Sequence, residues 1–152
     1  MNPSENEPSS LLLISADPLF ADLLAHASAL AKGPKISPPV PATLAVESAR
    51  ASLSSPILVD LDSIEPQETL RLVAKFSLIS EAPILLTSAN AIGGSPTLDP
   101  LFQAGATACL LKPQGRSSLS LASSAGQAFI EQLSAALCLN APSPLPITHD
   151  LA

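Results

Sequence analysis

Tryptophan and tyrosine are absent from this 152-residue chain, and its four phenylalanines bring the aromatic share to only 3%. A core must therefore be filled by Leu, Ile, Val and Ala, which the apolar share of 47% supplies. The length suits one domain with a real interior. Charge is scarce as well: Asp, Glu, Lys and Arg together make up 13%, about half the usual share. The surface is left to Ser, Pro and Ala. Basic residues never cluster, Lys32 and Lys35 being the nearest approach to a run, and the net charge is −6. Nucleic-acid phosphates demand clustered Lys and Arg, so that class of partner is excluded. Two cysteines, Cys109 and Cys138, lack metal-ligand spacing and are expected to be buried free thiols. No stretch approaches the roughly 20 apolar residues of a membrane span. Glu5 and Glu7, without an early Lys or Arg, are unlike a signal peptide, so the expected location is cytoplasmic.

What is present is a regular alternation. Residues 1–10 are polar with two prolines and read as a disordered leader, and residues 139–152, with Pro142, Pro144 and Pro146, read as a Pro-rich flexible tail. Between them, over residues 11–138, the run Leu11-Leu12-Leu13-Ile14 suits a strand covered on both faces. Asp17-Pro18 then opens a helix as N-cap and first turn, with Phe20, Leu23, Leu24, Ala27 and Leu30 at helical spacing up to Gly33. Lys35 to Ser37 suggests a short second strand. A helix over Ala42–Leu53 follows, with Leu44, Ala45, Ser48 and Ala49 on one side. Ile57-Leu58-Val59 and Ile84-Leu85-Leu86 are further buried strands, ending at Asp60 and Thr87, with a helix from Pro66 to about Ser77 between them. Gly93, Gly94 and Pro96 interrupt the fourth helix and leave Asp99 to Gln103. Ala108 to Leu111 is a fifth strand ending at Lys112-Pro113, and Leu119 to Leu137 closes the pattern with Leu121, Ala125, Phe129, Leu133 and Leu137 on one face.

Five strands alternating with five helices specify an α/β fold: an open, doubly wound parallel sheet with helices on both faces. Sites in such sheets lie at the carboxyl ends of the strands. The residues there are Ser15, Ala16, Asp17, Asp60, Asp62, Thr87, Ser88 and Lys112. An Asp, a hydroxyl and a Lys at three successive strand ends are the parts that phosphoryl chemistry on a carboxylate needs. The Asp accepts the group, the hydroxyl hydrogen-bonds a phosphoryl oxygen, and the Lys neutralises charge. Singly, each has a plainer reading, as a turn residue, β-branched filler or a solvated charge.

Over roughly Leu11 to Leu137 the chain resembles response-regulator receiver domains, the CheY-like family. The matching pieces are LLLISADPLFADLL, PILVDLDS, PILLTSA and AGATACLLKP, the last being the most specific. The resemblance implies flavodoxin-like strand order 2-1-3-4-5, with Asp60 at the phospho-acceptor position, Thr87 at the switch hydroxyl and Lys112 at the lysine. It also implies a cis Lys112–Pro113 bond.

The chain departs from that pattern in three places. Where the family carries two adjacent acids for Mg²⁺, this chain has Ser15-Ala16. The carboxylates left to a cation are Asp60, Asp17 and Asp62, none a firm ligand: Asp17 is expected to cap the first helix, and Asp62 to turn its side chain outward. Magnesium wants several hard oxygen donors, so binding is expected to be poor. Asp60 and Lys112, balanced one to one, are expected to pair directly. Cys109 stands where the family has an aromatic, and the fourth helix is broken.

The chain therefore reads as an atypical receiver, not an enzyme: an interaction module independent of Mg²⁺-dependent phosphorylation. Its expected partner is a protein, a histidine kinase or another signalling protein, with a homodimer through the face of the fourth helix, fifth strand and last helix as a further expectation. The alternative is an ordinary single-domain regulator phosphorylated on Asp60. A remoter one is a haloacid-dehalogenase-like phosphatase, since Asp60-Leu61-Asp62-Ser63 is similar to its first motif.

Overall fold

The computed structural model describes residues 10–52, 54–89, 98–112 and 124–139. In chain order the elements are β1 (Ser10–Ile14), α1 (Pro18–Leu30), β2 (Lys35–Ile36), α2 (Ala42–Ala51), β3 (Ile57–Asp60), a 3-10 turn (Leu61–Ser63), α3 (Pro66–Ile79), β4 (Ile84–Ser88), α4 (Asp99–Ala104), β5 (Ala108–Leu111) and α5 (Ser124–Leu139). The strands form one parallel sheet in the order β2-β1-β3-β4-β5.

Side chains alternate across this sheet, and each face builds its own core. Leu11, Leu13, Leu58, Leu85 and Leu110 pack with Phe20, Leu24 and Ala27 of α1 and with Phe129, Ile130 and Leu133 of α5. Leu12, Ile14, Ile57, Val59, Ile84 and Leu86 face the other way, onto Ala45 and Ala49 of α2, Leu72, Val73 and Phe76 of α3, and Leu101 of α4. Three of the four phenylalanines are thus spent as large core fillers, and Phe102 lies on the surface. Among the described residues, no helix is long and apolar enough to cross a membrane.

Several details differ from the sequence-based expectation. Ser10 belongs to β1 rather than to a leader, and α5 extends through Leu139. Leu30 and Leu44 are mostly exposed; Ala21 and Ser28 complete the buried face of α1, while Val46 packs against the core from α2. A helix face is about 100° wide, and residues at its margin lose burial wherever the chain turns away, as it does after Leu30. The expected interruption at Gly93, Gly94 and Pro96, the isomer of the Lys112–Pro113 bond, and Leu121 lie outside the described residues.

One glycine is needed where α4 meets α3. Gly105 ends α4 with φ +133, and a Cβ built there would sit 2.5 Å from the Cβ of Ser77. Gly105→Ala combines strain with overpacking and is expected to cost about 1–3 kcal/mol in urea unfolding. An unchanged midpoint would show that α3 and α4 can separate freely here.

Candidate functional site

The carboxyl ends of β1, β3, β4 and β5 converge: Ser15 and Lys112 are the first residues past β1 and β5, Asp60 is the last of β3, and Thr87 and Ser88 are the last two of β4. Asp60 ends β3 and is fully buried at 0% exposure. Its Oδ1 accepts from Lys112 Nζ at 2.8 Å and from the backbone N–H of Asp62 at 3.2 Å. Its Oδ2 accepts from Ser15 Oγ at 2.9 Å. Lys112, one residue past β5, keeps 14% of its side chain exposed and lays its ammonium 4.1 Å from the ring centre of Phe20, a cation–π contact in a partly dry site.

Ser15 does more than mark a missing acid. It is buried, it donates to Asp60, and its Oγ accepts from the Asp17 N–H at 3.0 Å. The Ala16 N–H donates to Ser63 Oγ at 3.0 Å, so the end of β1 is drawn onto the turn after β3. Asp17 caps α1, its Oδ1 accepting from the N–H groups of Leu19 and Phe20 at 3.1 and 3.2 Å. Thr87 pairs beside Asp60 in the sheet, yet its hydroxyl donates to the Leu110 carbonyl at 2.9 Å. That hydroxyl is satisfied by β5, not by the carboxylate.

Asp62 corrects the expectation of an outward side chain. Its Oδ1 accepts from Ser88 Oγ at 2.8 Å, and its Oδ2 from the Ala89 N–H at 2.9 Å. The same Oδ2 lies 3.0 Å from Lys112 Nζ. The chain leaves β3 into a 3-10 turn over Leu61–Ser63, and that turn carries the Asp62 side chain toward Lys112 and the end of β4. The one-to-one charge balance is corrected with it: two carboxylates share one ammonium, and the cluster carries a formal charge of −1.

Burial pushes the Asp62 carboxyl up, but the Ala89 N–H, the Lys112 ammonium and the Ser88 hydroxyl outweigh it and hold the group below its ordinary 3.8. A carboxyl whose folded value is depressed stabilises the fold above its unfolded value, and that contribution is lost as pH falls through the folded value. Unfolding followed from neutral pH to below pH 3.8 is expected to lose stability less steeply in Asp62→Asn than in the parent chain. Identical slopes would show that Asp62 contributes nothing to acid stability. Cys109 is half-buried, and burial together with the nearby Asp62 charge pushes its thiol up to about 11. It is a protonated, unreactive thiol at neutral pH.

A hard divalent cation needs several free oxygen donors in near-octahedral array. Asp60 has both carboxylate oxygens engaged by Lys112, Asp62 N–H and Ser15, and Asp62 has both engaged by Lys112, Ser88 and Ala89. Asp17 is committed to its helix. The described residues contain no group of three or more His, Cys, Asp and Glu able to hold a metal ion. The donor set does not fit Mg²⁺; the Lys112 ammonium takes the cation's place between the acids.

No family model matches the chain, and no curated protein is similar to it in sequence. Solved structures are similar in fold. The response regulator domain of Thermotoga maritima CheB superposes with a TM-score of 0.69 at 16% identity, over 91% of this chain and 100% of that one. A response regulator from Hahella chejuensis gives 0.66 at 14% identity, over 89% and 99%. A protein from Burkholderia thailandensis described as the pilus assembly protein CpaE gives 0.60 at 20% identity, over 84% and 97%. The strand order, the helices on both faces and these superpositions agree: this chain has the fold of CheY-like response-regulator receiver domains.

Proposed function

We propose that this chain is a receiver-fold interaction module whose pocket is closed by its own charges and which does not switch through Mg²⁺-dependent phosphorylation. The observation that carries this reading is the Lys112 ammonium seated between Asp60 Oδ1 and Asp62 Oδ2, with Asp60 sealed from solvent. To accept a phosphoryl group, a carboxylate oxygen must be free to attack, and the incoming charge must be neutralised by donors aimed at it. Here both oxygens of Asp60 are engaged and the Thr87 hydroxyl is turned to β5. The pocket's surplus negative charge also repels an anionic phosphodonor.

The same features speak against a phosphatase. Its nucleophile would be the buried Asp60, and its acid/base Asp62 is tied to Lys112, Ser88 and Ala89. The module's work is then docking on a protein, a histidine kinase or another signalling component in the cytoplasm, or on a second copy through the α4–β5–α5 face.

Phosphoryl acceptance on Asp60 is the second reading, favoured by the adjacency of Asp60, Thr87 and Lys112 at neighbouring strand ends. One experiment separates the two. The full chain, labelled with nitrogen-15, is titrated with Mg²⁺ and beryllofluoride, and in parallel treated with acetyl phosphate and weighed by mass spectrometry. Unmoved amide signals and an unchanged mass are expected. Mg²⁺-dependent modification at Asp60 would end the first reading.

A further inference from the structure

The first residue after β4 has no partner left in the sheet ladder, and such an N–H must be satisfied some other way. At Ala89 the acceptor is Asp62 Oδ2, a carboxylate 27 residues earlier in the chain. Ser88 is gripped from two directions: its hydroxyl donates to Asp62 Oδ1 at 2.8 Å, and its carbonyl accepts from the Lys112 backbone N–H at 2.9 Å. Asp62 itself stands on a single 3-10 turn, with 34% of its side chain exposed. A carboxylate placed so has water as an alternative. What opposes that alternative is the Lys112 ammonium 3.0 Å away, itself fixed by Asp60 and by the face of Phe20.

We propose that Asp62 is a latch: a positioning residue through which the Lys112 ammonium holds Ser88 and Ala89, joining the state of the pocket to the start of the connection between β4 and α4. The proposal rests on the reading of Lys112 as the pocket's resident cation. A group that draws Lys112 away from Asp62 releases Ala89, although Lys112 Nζ does not touch the Ala89 amide. The route from pocket to surface then runs through an acid on the turn after β3, and the Thr87 hydroxyl, committed to Leu110, takes no part in it.

The test is amide hydrogen exchange on the full chain without metal or phosphodonor, comparing Ala89 with Leu58 in the centre of the sheet. A hydrogen bond to a charged acceptor, once lost, is expected to speed local exchange by about tenfold or more. Asp62→Ala and Lys112→Gln should each do this at Ala89, while Leu58, which exchanges through global unfolding, reports only the change in overall stability. Local opening at Ala89 in the double variant should be no faster than in either single one. Exchange at Ala89 within about twofold of the parent rate in Lys112→Gln would overturn the latch. Should Lys112→Gln fail to fold, Asp62→Asn decides, because the amide keeps an acceptor for Ala89 but no charge for Lys112: fast exchange at Ala89 supports the latch, and the parent rate overturns it. Phosphorylation of Asp60 in the separate titration would end the proposed function and leave this result standing, and the reverse holds equally.

Discussion

Lys112→Met is expected to lower the unfolding free energy by about 3 kcal/mol, at the lower end of what removing one partner of a buried ion pair costs. Small domains are stable by only about 5–15 kcal/mol, so the loss is large. Its origin is Asp60, sealed at 0% exposure and left with Oδ1 facing the Asp62 carboxylate without a cation between them. Two effects moderate it. Ser15 and the Asp62 N–H still donate to Asp60, and Asp62, a third exposed, can turn to water. Adding Asp60→Asn should restore much of the loss, because the orphaned charge is then gone. Thermal or urea unfolding reads both results. A cost under about 1 kcal/mol, the worth of an exposed pair, would mean the pocket is wetter and looser than its geometry.

The convergence of Asp60 and Lys112 was legible in the sequence for a simple physical reason, although the one-to-one charge balance from which their pairing was expected does not hold. Apolar runs such as Ile57-Leu58-Val59 and Ala108-Cys109-Leu110-Leu111 leave little choice about where a buried strand stops. Parallel strands joined by right-handed crossovers bring those stopping points to one edge. Both cores follow from the same regularity, whereas the strand order was implied by the resemblance to receiver domains. Asp62 was not legible, because its direction is set by a three-residue turn after β3 and not by the strand itself. Neither was the hydroxyl of Ser15. As a residue type it signals only the absence of an acid, and its bond to Asp60 depends on how closely the ends of β1 and β3 approach. Phe20 reads as core from its helical spacing, and it is core; that its ring also carries the Lys112 ammonium needs the distance between α1 and the end of β5. Helix periodicity and strand ends are local properties of a chain. Hydrogen bonds across three loops are not.

Placing acids at positions 15 and 16 should create a metal site where the described residues offer none. Ser15 Oγ sits 2.9 Å from Asp60 Oδ2, so Ser15→Asp places a second carboxylate within hydrogen-bond range of a buried one, where like charges repel strongly. Together with Ala16→Asp it takes the cluster from a formal −1 to −3, more than one ammonium can neutralise. The double variant is therefore expected to be less stable than the parent without divalent ions. With Mg²⁺ the added oxygens become ligands, and binding to the folded state alone raises stability by RT ln(1 + [L]/Kd), about 2.7 kcal/mol at a hundred times Kd. In a domain of this size that corresponds to a rise in Tm on the order of ten degrees. The parent chain is expected to show no such rise, because Lys112 already stands between its acids. Calcium, which tolerates more ligands at longer distances, should act on the variant as well, whereas a monovalent salt at equal ionic strength should not. A parent chain whose Tm climbed with Mg²⁺ as steeply as the variant's would mean that the lysine yields its place readily, and the pocket would then be an ordinary metal site with a serine at its rim.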